Sequence, residues 1–301
     1  MTGGGRNGTV LVMRVYSVLL LAVFAAASPA SLAAQRPAVP PVDSTAVVSL
    51  RLTDGSQLTG RIVAGDDTSV TLLTFAGARV TLPHRSIASW RPQAGRVTAR
   101  GFARSDPNTS RLFFSPTART LERGRGYFAD YYLFFPTAAL GVTDRLMLSG
   151  GMSIIPGLSS QMLYVAGKVG VIRIPSASVA VGGFWATVPD ESDASLGMGY
   201  AVTTLGSEDH AVTLLAGYPF TTVDLAPEPL FVVGGETRIA NGAKLMAELW
   251  KLPVEDAVPS LFGVRWFGDR LAVGFGFVYV LGSNDLDGWP LIPWVDFAVN
   301  W

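Results

Sequence analysis

The chain has 301 residues, with 23 basic against 23 acidic side chains, no cysteine and 33 glycines; 49% of it is hydrophobic, and the mean hydropathy is +0.36. This composition excludes a disordered chain, a disulfide scaffold, a cysteine-ligated zinc site and a thiol nucleophile, and the lack of a basic excess argues against nucleic acid as a partner. So much apolar content belongs to a large core or to a membrane.

The chain opens on Arg6 and Arg14, then a short apolar stretch at 15–27 (VYSVLLLAVFAAA), then small residues at 28–34 (SPASLAA). That order predicts an export signal over 1–34, cleaved after Ala33 or Ala34. Residues 35–44 (QRPAVPPVDS) form a Pro-rich extended spacer. From 45 to 92 short alternating runs are separated by turn signals, among them Asp54-Gly55 and Gly65-Asp66-Asp67. The pattern LxDGxxLxGxI…VTL…VTLPxxxIxxW resembles the Sm-like and SH3-like barrels attached to bacterial envelope proteins. That resemblance implies a small barrel of four or five strands and names no ligand. His84 follows Pro83 in a turn and is read as a surface residue.

Residues 93–125 carry seven arginines against Asp106 and Glu122. We expect an Arg-rich linker over 93–109 and a first strand at 110–120. Arg111, Arg119, Arg123 and Arg125 are candidates for contact with lipid phosphates.

From residue 126 onward the dominant period is 2. Leu271, Val273, Phe275, Phe277, Tyr279 and Leu281 alternate with Ala272, Gly274 and Gly276; similar runs include Leu163 to Val171, Leu196 to Val202 and Phe262 to Trp266. One face is large and apolar, the other small or charged. A soluble sandwich would carry Lys, Glu and Thr on its outer face, whereas repeated Gly and Ala suit the crowded interior of a narrow barrel whose apolar face meets lipid. Twelve candidate strands follow, at 110–120, 127–142, 145–156, 161–173, 177–188, 195–205, 210–219, 229–239, 243–251, 258–266, 270–281 and 290–301. Tight links alternate with longer ones, as in outer-membrane barrels, and the tight ones are assigned to the periplasmic side. The fold class expected is all-β: the small N-terminal module, then an antiparallel transmembrane barrel of about 12 strands over 110–301.

At the end of the chain Val295, Phe297, Val299 and Trp301 share one face. A final strand of this kind looks like the assembly signal of Gram-negative outer-membrane proteins, which implies the barrel-assembly machinery as a partner; it ends on Trp where Phe is commonest. The segment RLFFSPTARTLERGRGYFADYYLFFPTAALGVTD (111–144), followed by GGMSIIPG, resembles barrel-type envelope proteins of bacteria. The whole chain thus resembles Gram-negative outer-membrane β-barrel envelope proteins with an N-terminal Sm-like/SH3-like module, a resemblance that brings no activity with it.

Three constellations are candidates for chemistry. Lys168, Glu236, Arg238, Lys244, Glu248, Arg265 and Asp296 fall on the inward face, where charges must be paired or hydrated. They read either as a salt-bridge network that plugs the lumen or as a polar pathway. The outer loops are acidic: Asp190, Glu191, Asp193, Asp224, Glu255, Asp256, Asp285 and Asp287 suit weak divalent-cation binding. An outer-membrane acyl hydrolase would need Ser, His and an orienting group, but only His84 and His210 exist, the latter beside Glu208-Asp209 in a turn. No catalytic residue, firm metal site or cofactor is therefore assigned. The expected role is structural or interactive, with outer-membrane lipid and a periplasmic protein or the cell wall as partners; a narrow channel or small-solute transporter is the alternative.

Overall fold

The structure, a computed structural model, describes residues 46–98, 101–189, 191–221, 228–253, 258–281 and 291–301. The expected export signal and spacer lie outside them. The described chain divides into two compact units, one comprising residues 46–73 and 79–91, the other residues 74–78 and the described residues from 92 to 301.

The first unit is built on a five-stranded sheet of order β4-β3-β2-β1-β5, with β1 at Val47–Leu52, β2 at Gln57–Gly65, β3 at Ser69–Thr74, β4 at Arg79–Pro83 and β5 at Ile87–Pro92. Leu50, Ile62, Val70, Leu72, Leu82 and Ile87 form its core. The turn residues act as the sequence indicates. Gly55 takes φ +88, a left-handed conformation that a side chain disfavours. In the β2–β3 turn Asp66 accepts the backbone N–H groups of Thr68 at 2.7 Å and Ser69 at 2.8 Å. These bonds, together with those from the Thr68 and Ser69 hydroxyls, hold its carboxyl down at about 2.

The second unit opens with a hairpin of β6 (Gly95–Thr98) and β7 (Gly101–Arg104). It ends in a closed antiparallel barrel of twelve strands. These are β8 (Gly126–Tyr131), β9 (Phe135–Gly141), β10 (Leu146–Met152), β11 (Leu163–Ile174), β12 (Ala177–Val188), β13 (Glu191–Gly206), β14 (His210–Thr221), β15 (Leu230–Ala240), β16 (Ala243–Lys251), β17 (Val258–Phe267), β18 (Leu271–Leu281) and β19 (Ile292–Asn300). β19 pairs with β8 to close the ring, and Trp301 extends the seam by exchanging backbone hydrogen bonds with Gly126 at 3.0 and 3.3 Å. Closure leaves no strand edge unpaired.

The strand number agrees with expectation, but two of its parts do not. Residues 110–120 are not a barrel strand. The expected strand 127–142 is two strands, β8 and β9, folded back at Tyr132 and Leu133. Both of these take positive φ, 59° and 65°, and Phe134 N–H reaches Tyr131 O at 3.2 Å. Tight hairpin turns of this hand are normally marked by Asn or Gly, and YYLF carries neither. The expected linker at 93–109 is likewise replaced by the β6–β7 hairpin and the start of an ordered inner segment.

Along most barrel strands the parity is as read, but on β13 it is reversed over 198–202: Met198, Tyr200 and Val202 turn inward, and Gly199 and Ala201, too small to fill the lumen, turn outward. Val165, Val169, Leu214, Phe231, Val233, Leu245, Phe262, Trp266 and Phe275 are outward-facing and exposed, while Ala180, Val202, Leu215, Val232, Met246, Ala272 and Ala298 are buried inside. Among the described residues no helix is long and apolar enough to cross a membrane.

Candidate functional site

The barrel interior is occupied by the chain's own segment 105–125, of which residues 105–121 lie inside and residues 122–125 are exposed where it leaves. This segment enters and leaves at the same end, that of the tight turns around 142–145, 175–176, 207–209, 241–242 and 268–270. On entry Arg104 N–H bonds Asn241 O and Ser105 N–H bonds Ala94 O, both at 3.0 Å. On exit Thr120 Oγ1 donates to Asp144 O at 2.7 Å, and Arg123 N–H donates to the Asp144 carboxylate at 2.9 Å. Between these points the segment folds into a tight hairpin. Thr117 N–H bonds Ser110 O at 3.0 Å, Leu112 N–H bonds Ser115 O at 2.9 Å, and Arg111 bridges Pro116. Leu112 and Phe113 are fully buried. Phe114 projects at the tip toward the far end, with its ring centroid 5.7 Å from that of Trp250, 6.1 Å from Tyr131 and 6.4 Å from Trp294.

The hairpin makes few backbone bonds of its own, and irregular backbone at this depth must be satisfied by protein. The charged residues of the wall do this. From β11, Lys168 donates to Ser110 O at 3.0 Å and Thr117 O at 2.7 Å. From β17, Arg265 donates to Asn108 O at 3.2 Å, to Arg111 O at 3.1 Å and to Leu112 O. From β16, Glu248 accepts the N–H groups of Phe114 at 2.8 Å and Ser115 at 2.9 Å, and the Ser115 hydroxyl as well. From β13, Thr204 Oγ1 accepts Ala118 N–H at 2.9 Å.

Ion pairs complete the fit. Arg111 meets Asp296 of β19 at 2.6 Å, with the two side chains 3% and 1% exposed, and its guanidinium lies 4.9 Å from the Tyr131 ring centroid. Arg119 pairs with Glu236 of β15. Lys244 of β16 lies 2.9 Å from Glu236 and 3.1 Å from Asp106. Shape contributes too: a Cβ on Gly234 would collide with Leu112, so the glycine leaves the notch that Leu112 fills.

Six of the seven residues assigned to the inward face therefore line one interior around this hairpin. The seventh, Arg238, lies lower, where it pairs with Asp209 at 2.6 Å and donates to Arg104 O at 2.9 Å. Arg96 also pairs with Asp209, and Arg104 with Asp269, so the β6–β7 hairpin is tied to the same turns. The expectation that Arg111 and Arg119 contact lipid phosphate is corrected. Both point into the lumen, where carboxylates take their charge. Arg123 and Arg125 are exposed near the tight turns.

The acidic-loop residues Asp190, Asp224, Glu255, Asp256, Asp285 and Asp287 lie outside the described residues, as do the side chains of Glu191 and Asp193. His210 Nδ1 lies 2.6 Å from Thr237 Oγ1, and His84 belongs to the first unit. Phe297, Val299 and Trp301 face outward on the closing strand. Sequence reading missed Asp106, Asn108, Ser115 and Thr204. The signal for the first three is the turn-rich composition SDPNTS and SP on either side of RLFF.

No protein-family model matches the chain, and no curated protein matches it significantly. Among solved structures it is similar to the KdgM porin in complex with disordered oligogalacturonate, with 10% identity and a TM-score of 0.41 over 58% of this chain and 95% of that one. It is also similar to a loop L8 deletion mutant of OmpT, an outer-membrane protein of Vibrio cholerae (13% identity, TM-score 0.34, 85% and 97% covered), and to the outer-membrane protein Omp33 of Acinetobacter baumannii (12%, 0.35, 59% and 96%). The barrel is defined by its own closed ring of paired strands.

Proposed function

We propose that this chain is an exported outer-membrane β-barrel whose lumen is filled by its own 105–125 hairpin, with a structural or interaction role in the cell envelope. The observation that carries the reading is the belt of exposed apolar side chains around a closed barrel. Val165, Phe231, Val233, Phe262 and Trp266 would be costly in water and are at home in hydrocarbon. In this reading residues 1–34 direct export and the tight turns face the periplasm. The first unit, read as an Sm/SH3-like module, then binds a periplasmic protein or the cell wall. Phe297, Val299 and Trp301 serve recognition by the barrel-assembly machinery.

The inward charges are engaged on the hairpin, which favours a closed resting barrel over an open porin. We assign no catalytic residue, because His210 is turned to Thr237 and the interior carboxylates are held by cations and backbone N–H groups. Fractionation of expressing cells tests the reading. The protein is expected in the outer-membrane fraction, migrating faster on a gel before boiling than after, and conducting at background in planar bilayers. Recovery in the soluble periplasm overturns it.

A further inference from the structure

We infer that the hairpin 105–125 is a gate: the barrel has a second state in which the hairpin withdraws toward the tight-turn end and the vacated lumen conducts small ions. This goes beyond the structural reading above and rests on its membrane placement.

Four observations converge on the gate. Both arms leave through the same end, so withdrawal requires no threading of chain past the barrel. Next, the wall suits water as well as it suits the hairpin. Lys168, Lys244 and Arg265 balance Glu236, Glu248 and Asp296 on the wall alone, and the Lys244–Glu236 pair lies wholly on it. A permanent core would be built more cheaply from apolar side chains, since a buried ion pair is often matched or bettered by well-packed hydrophobic residues of similar volume. An interior that is dry when filled and hydrated when empty gives those charges a use.

Third, the closed fit leaves buried polar atoms unmet. Asn108 Nδ2, Ser110 Oγ and Arg111 Nε on the entering arm have no hydrogen-bond partner within the protein, nor do Arg265 Nε and Asn300 Oδ1 on the wall that faces it. Hydration of the lumen on opening would satisfy all five, which offsets part of the cost of leaving the closed state. Fourth, the closed state has a specific latch. The Glu248 carboxylate takes three donors of the tip, and Leu112 fills the notch at Gly234.

The absence of native cysteine makes a clean test. Ala118→Cys with Thr204→Cys ties the hairpin to β13 at a point where Ala118 N already lies 2.9 Å from Thr204 Oγ1. Glu248→Ala removes the latch, and Leu112→Ala loosens the notch without touching a charge. The full-length chains are inserted in planar bilayers, with heat-modifiable migration checked for each. Losing a buried charge-assisted clasp is expected to raise the open fraction at least about tenfold over wild type. The oxidised tether is expected to return either loosened variant to background, and reductant to restore conduction. Two results overturn the gate: folded Glu248→Ala and Leu112→Ala chains that both stay at background, or conductance that the oxidised tether leaves unchanged. A chain that never inserts overturns the membrane reading along with it.

Discussion

Arg265 shows why charged residues are buried in this barrel. Its guanidinium is fully buried, and three of its contacts are backbone carbonyls of the inner hairpin. Lys168 is used in the same way. The wall thus supplies the donors that an irregular segment lacks, and Glu248 supplies the acceptor for its tip. That these positions face inward was legible from alternation alone, because Lys244, Met246 and Glu248 fall on the opposite parity from Leu245 and Leu249. Which partners they meet was not legible, since nothing in the spacing links Arg111 to Asp296 across 185 residues. The pair is expected to behave as a coupled unit. Arg111→Met alone strands the Asp296 charge and is expected to cost about 3–5 kcal/mol. Adding Asp296→Asn keeps an acceptor for Trp294 Nε1, which donates to Asp296 at 3.0 Å, and is expected to recover about half of the loss or more. Urea unfolding in lipid vesicles, read by gel mobility, measures both; equal instability of the single and double variants refutes the coupling.

At the scale of elements, sequence reading succeeds where one physical rule governs and fails where two compete. Turns marked by Asp and Gly are where they were read, as at Asp54-Gly55 and Gly65-Asp66-Asp67. The β8–β9 turn is not marked, because Tyr132 and Leu133 are held at positive φ by closure of the barrel rather than by their own preference. The hairpin 105–125 was read as linker and strand because RLFF has the apolar content of a strand. Its breakers, Pro107 and Pro116, mark it as irregular, yet only the walls of a closed barrel make an irregular apolar segment stable. Local turn chemistry makes its own prediction in the first unit. Asp66 titrates at about 2 in the folded chain against an ordinary 3.8. Its folded value is the lower one, so its stabilising effect is present above pH 3.8 and disappears as pH falls toward 2. A carboxyl titration of Asp66 by NMR is expected to show that low midpoint. In Thr68→Val, which loses the hydroxyl donor, the midpoint is expected to rise; no change in that variant would show that the hydroxyl bond does not set it.

At the scale of the whole molecule, the apolar belt is the feature from which compartment follows, and it was the most legible. Period 2 with Gly and Ala between large side chains leaves two architectures, a sandwich with a small-residue outer face or a barrel turned outward. Closure of β19 on β8 decides for the barrel, but the solvent around it is decided by energetics, and two outward positions separate the cases. Phe262 is at the middle of β17, paired with Ala247 at the middle of β16, and Leu205 is one residue from the end of β13; Phe262 and Leu205 are 43% and 48% exposed. In water such similarly exposed sites tolerate arginine alike, within about ±0.5 kcal/mol. In a bilayer depth governs: Phe262→Arg sits near the midplane and is expected to cost about 2–4 kcal/mol, whereas Leu205→Arg lies near an interface and costs about 0–1 kcal/mol. Folding equilibria of the two variants in lipid vesicles measure the difference. A large penalty at Phe262 beside a small one at Leu205 follows only if the barrel wall faces hydrocarbon, and equal, negligible effects would place the same belt in water.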